Sequence, residues 1–194
     1  MSVVEDFQAE TEKLAATVQR QVLVLYAAHV AGELTDLDTA ALIAAAINKA
    51  TSVAVGLGDA WLVAQIEDVT GVATLAAGVG PTDDSDRLLK AASTVLAEPA
   101  DAAMRLDRLA RSETFEAAQN GTWQAMQQQP LIEGWVRQFD ADPCQLCRWW
   151  SRDGRVWPKA HPFQRHKGCN CQPRIVLAEN IKSTGYTRRL ERTA

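Results

Sequence analysis

A chain of 194 residues that is 47% hydrophobic suffices for one ordinary domain or two small ones and excludes wholesale disorder. No uninterrupted apolar run reaches the roughly 20 residues of a membrane span, and no signal-peptide pattern opens the sequence, so the reading expects a soluble protein in a reducing compartment. The formal net charge of −4 conceals a division: residues 144 to 194 carry 11 Lys or Arg against 3 Asp or Glu, whereas residues 1 to 143 carry 9 against 21. An acidic body and a basic end on one chain point to two faces or two partners, or to two halves that attract each other.

Residues 3 to about 31 read as one amphipathic helix, with Phe7, Leu14, Val18, Val22, Leu25 and His29 on the apolar stripe and Gly32 placed to end it. Glu5, Asp6, Glu10 and Glu12 near its start complement the helix dipole. His29 reads as a packed, hydrogen-bonded histidine, with no second ligand beside it. A second helix begins at Thr35 or Asp36, where Thr35-x-x-Asp38 resembles a capping box, and runs through Leu42, Ala46, Ala50 and Val53. Its alanines suit close helix packing in a bundle or hairpin. Gly56 and Gly58 are expected to bend or interrupt it before it resumes through Trp61 and Ile66 to about Val69.

The run from Ala76 to Thr82 is a connection, and its Gly-x-Gly lacks the strand and the lysine of a phosphate loop. A short helix capped by Asp83, Asp84 or Ser85 follows through Leu88, Leu89, Ala92 and Val95, ending before Pro99. From Ala100 to about Gln128 the pattern is helical again, offering Met104, Leu109, Phe115, Ala118 and Met126 to the core. Arg105, Arg108 and Arg111 form a basic row with Glu113 and Glu116 within helical reach for ion pairs.

After Pro130 the texture changes to short strand-like runs at 134 to 139, 155 to 157 and 173 to 177, which bracket all four cysteines. Cys144-Gln-Leu-Cys147 has the spacing of a zinc ligand pair on a tight turn, and Pro143 and Gly168 supply turn chemistry. His166-Lys-Gly-Cys169 repeats the two-residue gap, and Cys171 follows. Cys144, Cys147, His166, Cys169 and Cys171 thus compete for four places around one structural zinc ion, with Lys167 and nearby arginines to offset thiolate charge. Two disulfides are the alternative, although a bridge within Cys-x-Cys is strained; unligated core cysteines are the other. The basic end with Trp149, Trp150 and Trp157 also fits a zinc-containing nucleic-acid-binding module. A zinc nuclease using His161 or His166 fits less well, because acidic residues are scarce after Asp153 and Cys-rich ligation closes the metal.

The expected fold is mainly α: a helical bundle or hairpins over residues 1–98, then a region at 99–177 made of a long helix and a small α+β subdomain stapled by zinc from about residue 130, and a basic, loosely ordered tail at 178–194.

The stretch from Arg105 to Val176, a little over a third of the chain, resembles the phage Mu F-like minor head proteins. The residues that carry the resemblance are Ala110-Arg111-Ser112-Glu113-Thr114, Ala118, Asn120-Gly121, Trp135, Asp142-Pro143-Cys144-Gln145-Leu146-Cys147, Phe163 and His166-Lys167-Gly168-Cys169-Asn170-Cys171. The family's closing element usually reads His-Pro-x-Cys-Arg-Cys; here Lys167 stands for its proline and Asn170 for its arginine, and His161-Pro162 supplies a His-Pro pair earlier in the loop. The resemblance implies a non-enzymatic, low-copy component of a tailed-phage head, oligomeric in the particle. It would lie inside the virion near the portal and pass through the host cytoplasm during assembly. The implied partners are portal, capsid or scaffold proteins; the basic end adds an expected weak, non-specific DNA contact, and the lack of a long apolar run an expectation of no membrane.

Overall fold

The computed structural model describes residues 2–177 together with Arg189 and Arg192; the rest of the basic tail expected at 178–194 lies outside the described residues. The first helix, α1, spans Val3–Val30 and starts on a complete capping box, in which Ser2 N–H donates to Glu5 Oε2 at 2.7 Å and Glu5 N–H to Ser2 Oγ at 3.3 Å. It ends where Gly32 turns left-handed at φ 76°, with Gly32 N–H on the His29 carbonyl and Glu33 N–H on that of Ala28, the paired bonds of a Schellman motif.

Helix α2 spans Asp36–Thr70, with Thr35 Oγ1 accepting from Asp38 N–H at 3.1 Å. It runs unbroken through Gly56 and Gly58, contrary to expectation. A Cβ on Gly58 would lie 2.7 Å from both the Ala118 carbonyl oxygen and the Thr122 nitrogen of the helix at Ala102–Gln128, α4, so this glycine permits a close crossing and does not end a helix. By length and composition alone α2 also reaches the size of a membrane span, which Asn48 and Lys49 conceal from a search for uninterrupted apolar runs. Here it packs against α1, α4 and the short helix α3 at Ser85–Leu96.

The loop between α2 and α3 is tied down by Asp59, a buried carboxylate that accepts the N–H groups of Ala77, Gly78 and Val79 at 2.9, 2.7 and 3.1 Å. The amides that a phosphate loop would offer to a ligand are thus used within the chain. Asn48 holds the end of the loop, accepting from Asp84 N–H at 3.1 Å.

Two main apolar clusters result. Val18, Val22, Ile43, Ile47, Leu88, Ala92, Leu106 and Ala110 fill the four-helix bundle. Leu62 and Ile66 of α2 and Ala125 and Met126 of α4 continue into a second cluster with Ile132, Trp135, Trp157, Phe163, Ile175 and three cysteines. Met104 points to solvent and not to the core, because Ala102, Leu106 and Ala110 take the buried stripe of α4. The basic row on α4 also pairs differently from expectation: Arg105 reaches Glu98 at 3.1 Å and Arg111 reaches Glu12 of α1 at 2.7 Å. Glu113 and Glu116 turn to groups outside their own helix.

The second cluster is roofed by a three-stranded antiparallel sheet of order β2-β1-β3, with β1 at Gly134–Gln138, β2 at Trp157–Pro158 and β3 at Gln172–Val176. Trp135 pairs with Trp157 on one side and Ile175 on the other. Its ring meets Phe163 edge-on at 5.0 Å and its indole N–H donates to the His161 carbonyl at 3.1 Å, so its large apolar body is buried with its polar atom satisfied.

Candidate metal centre

Between β1 and β2 lies a seven-residue helix, α5, at Gln145–Ser151, where a plain turn is expected from the Cys-x2-Cys spacing. Cys144 is its N-cap, in extended backbone at φ −69° and ψ 168°, and Cys147 lies in the first turn, so the two sulfurs face the same side. The facing loop makes its own turn at Gly168, left-handed at φ 78°, and Cys169 N–H donates back to the His166 carbonyl at 3.3 Å. That turn aims His166 Nε2 at both helix cysteines, 3.0 Å from Cys144 Sγ and 3.2 Å from Cys147 Sγ. Cys169 Sγ is 3.4 Å from Cys147 Sγ.

The five donors expected from the sequence therefore form two overlapping triads that share Cys147: one with Cys144 and His166, the other with Cys169 and Cys171. Within each triad the ligand atoms lie within 4.8 Å of one another, and either group can hold a metal ion. All four cysteines are free thiols, and the 3.4 Å approach of Cys147 and Cys169 is well beyond a disulfide bond.

Crowding sets the protonation of this cluster. Hydrogen bonds from Cys147 and then Cys171 pull the Cys169 thiol down to about 4, aided by its own Cys171 amide and by Arg137. The hydrogen bond to Cys169 in turn pushes the Cys147 thiol far up, as do Cys171 and burial. For Cys171, the lowering contact with Cys147 is outweighed by Cys169 and burial, and the net shift is upward. One thiolate is thus stabilised and its charge keeps the neighbouring protons on; a bound cation removes that constraint.

Arg137 of β1 is the buried counter-charge. It is 6% exposed, its Nη1 is 3.9 Å from Cys147 Sγ, its Nη2 donates to the Gln164 carbonyl, and its guanidinium lies 4.1 Å from the Phe163 ring centroid. A buried guanidinium needs negative charge close by, and the Cys169 thiolate, which Arg137 helps to stabilise, provides it. Lys167, expected to play this part, faces the other way and contacts Glu113 at 3.5 Å and Glu116 at 3.2 Å. Asp140 is the carboxyl beside the cluster; burial first, then the Cys171 charge, raise its pKa, while it accepts Asn170 N–H at 3.0 Å.

The knuckle formed by residues 166 to 172, with the strand β3 that follows it, is sewn to the helices by side chains that sequence reading missed. Gln8 of α1 donates to the Asn170 carbonyl at 3.1 Å, Asn170 Nδ2 donates to the Gln8 carbonyl at 2.8 Å, and the Thr11 hydroxyl donates to Asn170 Oδ1 at 2.8 Å. From α4, the Gln119 amide donates to the carbonyls of Cys169 and Cys171 at 2.7 and 2.9 Å. From α2, Gln65 Oε1 accepts Ile175 N–H at 3.1 Å. The available signal was position: Gln119 lies four residues after Phe115 and three before Thr122, on the buried stripe of its helix, where an amide needs a partner.

His161 is not in either triad. Its ring stacks on Trp157 at 4.3 Å and its Nε2 contacts the Gln164 amide at 2.9 Å; burial, then Arg155, lower its pKa and keep it neutral. Comparison with known proteins yields no matching family model, no matching curated protein and no matching solved structure.

Proposed function

We propose that the cluster is a structural zinc site and that the chain is a minor head protein of a tailed phage, acting through protein contacts and not as an enzyme. The observation that carries this reading is that the scattered residues of the head-protein resemblance converge on one another. Glu113 reaches Lys167, Trp135 packs on Phe163, and Cys144, Cys147, His166 and Cys169 meet sulfur to nitrogen or sulfur to sulfur. Residues in separate parts of the sequence form one bolt between helix and knuckle, which supports reading them as a single motif.

Zinc suits the donors. With metal–sulfur bonds near 2.3 Å and metal–nitrogen bonds near 2.0 Å, the edges of a tetrahedron are about 3.5 to 3.8 Å. The contacts of 3.0, 3.2 and 3.4 Å fall within about half an ångström of them. The favoured set is Cys144, Cys147, His166 and Cys169. Cys169 enters the set through its 3.4 Å contact with Cys147 and its two-residue gap from His166, and its thiol is already pulled down to about 4. Three thiolates, one neutral imidazole and a dication carry one net negative charge, which Arg137 balances. Four protein ligands leave no open position for water, and His161 is engaged elsewhere, so the arrangement favours a staple over a nuclease.

The test is twofold. Metal analysis of the purified chain should return one zinc per chain. In phage particles the chain should be found in few copies and be protected from added protease until the head is opened; an abundant, externally cleaved chain would make it a surface decoration instead.

A further inference from the structure

The structure sorts the tryptophans. Trp135 and Trp157 are core, Trp61 stacks on Phe7, and Trp150 lies against His166 and Arg137. Trp149 is different: it is 59% exposed, beside Leu146 at 46%. On α5 the positions Gln145, Arg148 and Trp149 are spaced to share one face and are exposed, as is the C-cap residue Arg152, while Cys147 and Ser151 face inward. The Arg152 guanidinium lies over the Trp149 ring at 5.1 Å. It is held there by an unusual backbone, since Arg152, Asp153 and Gly154 are all left-handed at φ 48°, 56° and 78°. Two L side chains in succession rarely adopt that conformation, and Ser151 secures it by accepting Arg155 N–H at 3.0 Å and Gly154 N–H at 3.3 Å. Along residues 144 to 160 the charges are Arg148, Arg152, Arg155 and Lys159 against Asp153.

We propose that this face of α5 binds single-stranded nucleic acid, with an unpaired base on Trp149 and phosphates on Arg148 and Arg152. A flat indole under a guanidinium already has the geometry that a base takes in a stacked complex, and the displaced Arg152 is then free to pair with the phosphate next to that base. A duplex hides its base faces, so the tryptophan contributes only with unpaired strands. Because Cys144 and Cys147 set the start of α5, the metal centre positions this face. The proposal rests on the zinc reading and not on the head-protein reading; zinc analysis tests the first separately, and failure of the phage assignment leaves this face untouched.

The experiment is fluorescence anisotropy of a labelled 20-nucleotide oligo-dT with the full zinc-loaded chain, across a salt series. Affinity should fall log-linearly with salt. Trp149→Ala should weaken binding by about tenfold, Trp149→Phe should recover most of it, and Arg152→Gln should reduce the salt slope by about 0.7. Unchanged helical circular dichroism and zinc content in each variant exclude misfolding, which the exposure of both side chains makes a small risk. Equal affinity for a duplex of the same length, with Trp149→Ala harmless, would reduce the effect to general phosphate attraction and overturn the proposal. So would poly-glutamate competing as well as oligo-dT, which would indicate an acidic protein partner, or full affinity after zinc is chelated.

Discussion

Gly121 of α4 rests against Val55 of α2 so closely that a Cβ at position 121 would lie 2.6 Å from the Val55 carbonyl oxygen. The contact is backbone on both sides, so no rotamer change relieves it. Gly121→Ala and Gly58→Ala should each destabilise the chain by about 1–3 kcal/mol. Gly56 has no neighbouring atom within 4 Å of its would-be Cβ, and Gly56→Ala should raise stability by up to about 1 kcal/mol through helix propensity alone. Thermal melts of the three variants check the contrast; a neutral Gly121→Ala would mean that the helices do not cross here.

Asn170 should matter for docking and not for metal binding. Its side chain joins Gln8, Thr11 and Gln172, and Asn170→Ala leaves the Gln8 carbonyl and the other partners buried without it, at a cost of about 2–3 kcal/mol. Denaturant titration should show that loss at unchanged zinc stoichiometry.

The ligand choice is tested by subtraction. Cys171→Ser should keep zinc, whereas His166→Ala should lose it; the reverse would make the site a four-cysteine one. Cys144→Ser should release the metal and unfold the region after Pro130, since a site of this kind contributes about 10 to 16 kcal/mol to folding in small zinc domains. Hydrogen exchange should then rise at residues 7 to 12, where α1 leans on the knuckle, and stay slow around Ile43 and Ile47, which are packed in the bundle.

Acid sensitivity should trace in part to Glu113. Burial alone would raise its pKa, but Arg87, bonded at 2.6 Å, and then Lys167 hold it below the usual value of 4.5. A depressed carboxyl contributes stability that is present above its unfolded pKa and is lost as the pH falls through the lower folded value. Glu113→Gln should therefore be less stable than the wild type at pH 6, with the gap closing below pH 4.5. Comparing the two proteins at each pH cancels the loss of metal that acid causes in both.

Much of this architecture was legible because long helices declare themselves by period: the stripe from Phe7 through Val22 is the buried face of α1, and the Thr35 cap lies where its sequence signature puts it. The donor stretch was legible because two-residue gaps between cysteines and histidine have few other uses. What escaped was decided by partners distant in sequence. A glycine pair at 56 and 58 reads as a break until Gly58 is seen to give the surface around Ala118 and Thr122 its space, while Gly56 meets nothing within 4 Å. The row at Arg105 to Arg111 reads as self-contained until Glu98, Glu12 and Lys167 claim its charges and those of the glutamates beside it. Helix α5 has only seven residues, too few to show a period, and a cysteine pair looks the same in a turn as in a first helical turn.

The mutual amide grip of Gln8 and Asn170 closes across 162 residues of chain. On a ribosome adding about 5–20 residues per second, Gln8 emerges roughly ten to thirty seconds before the group it needs. The bundle around Ile43, Ile47 and Leu106, and the Phe7 contact with Ala54 and Ala118, have all their members before then, so α1 is already held by its apolar face when the polar contact is still missing. Closure of this polar seam is then a late act of synthesis, and a chain that ends before Asn170 leaves Gln8 and Thr11 of α1 without those partners.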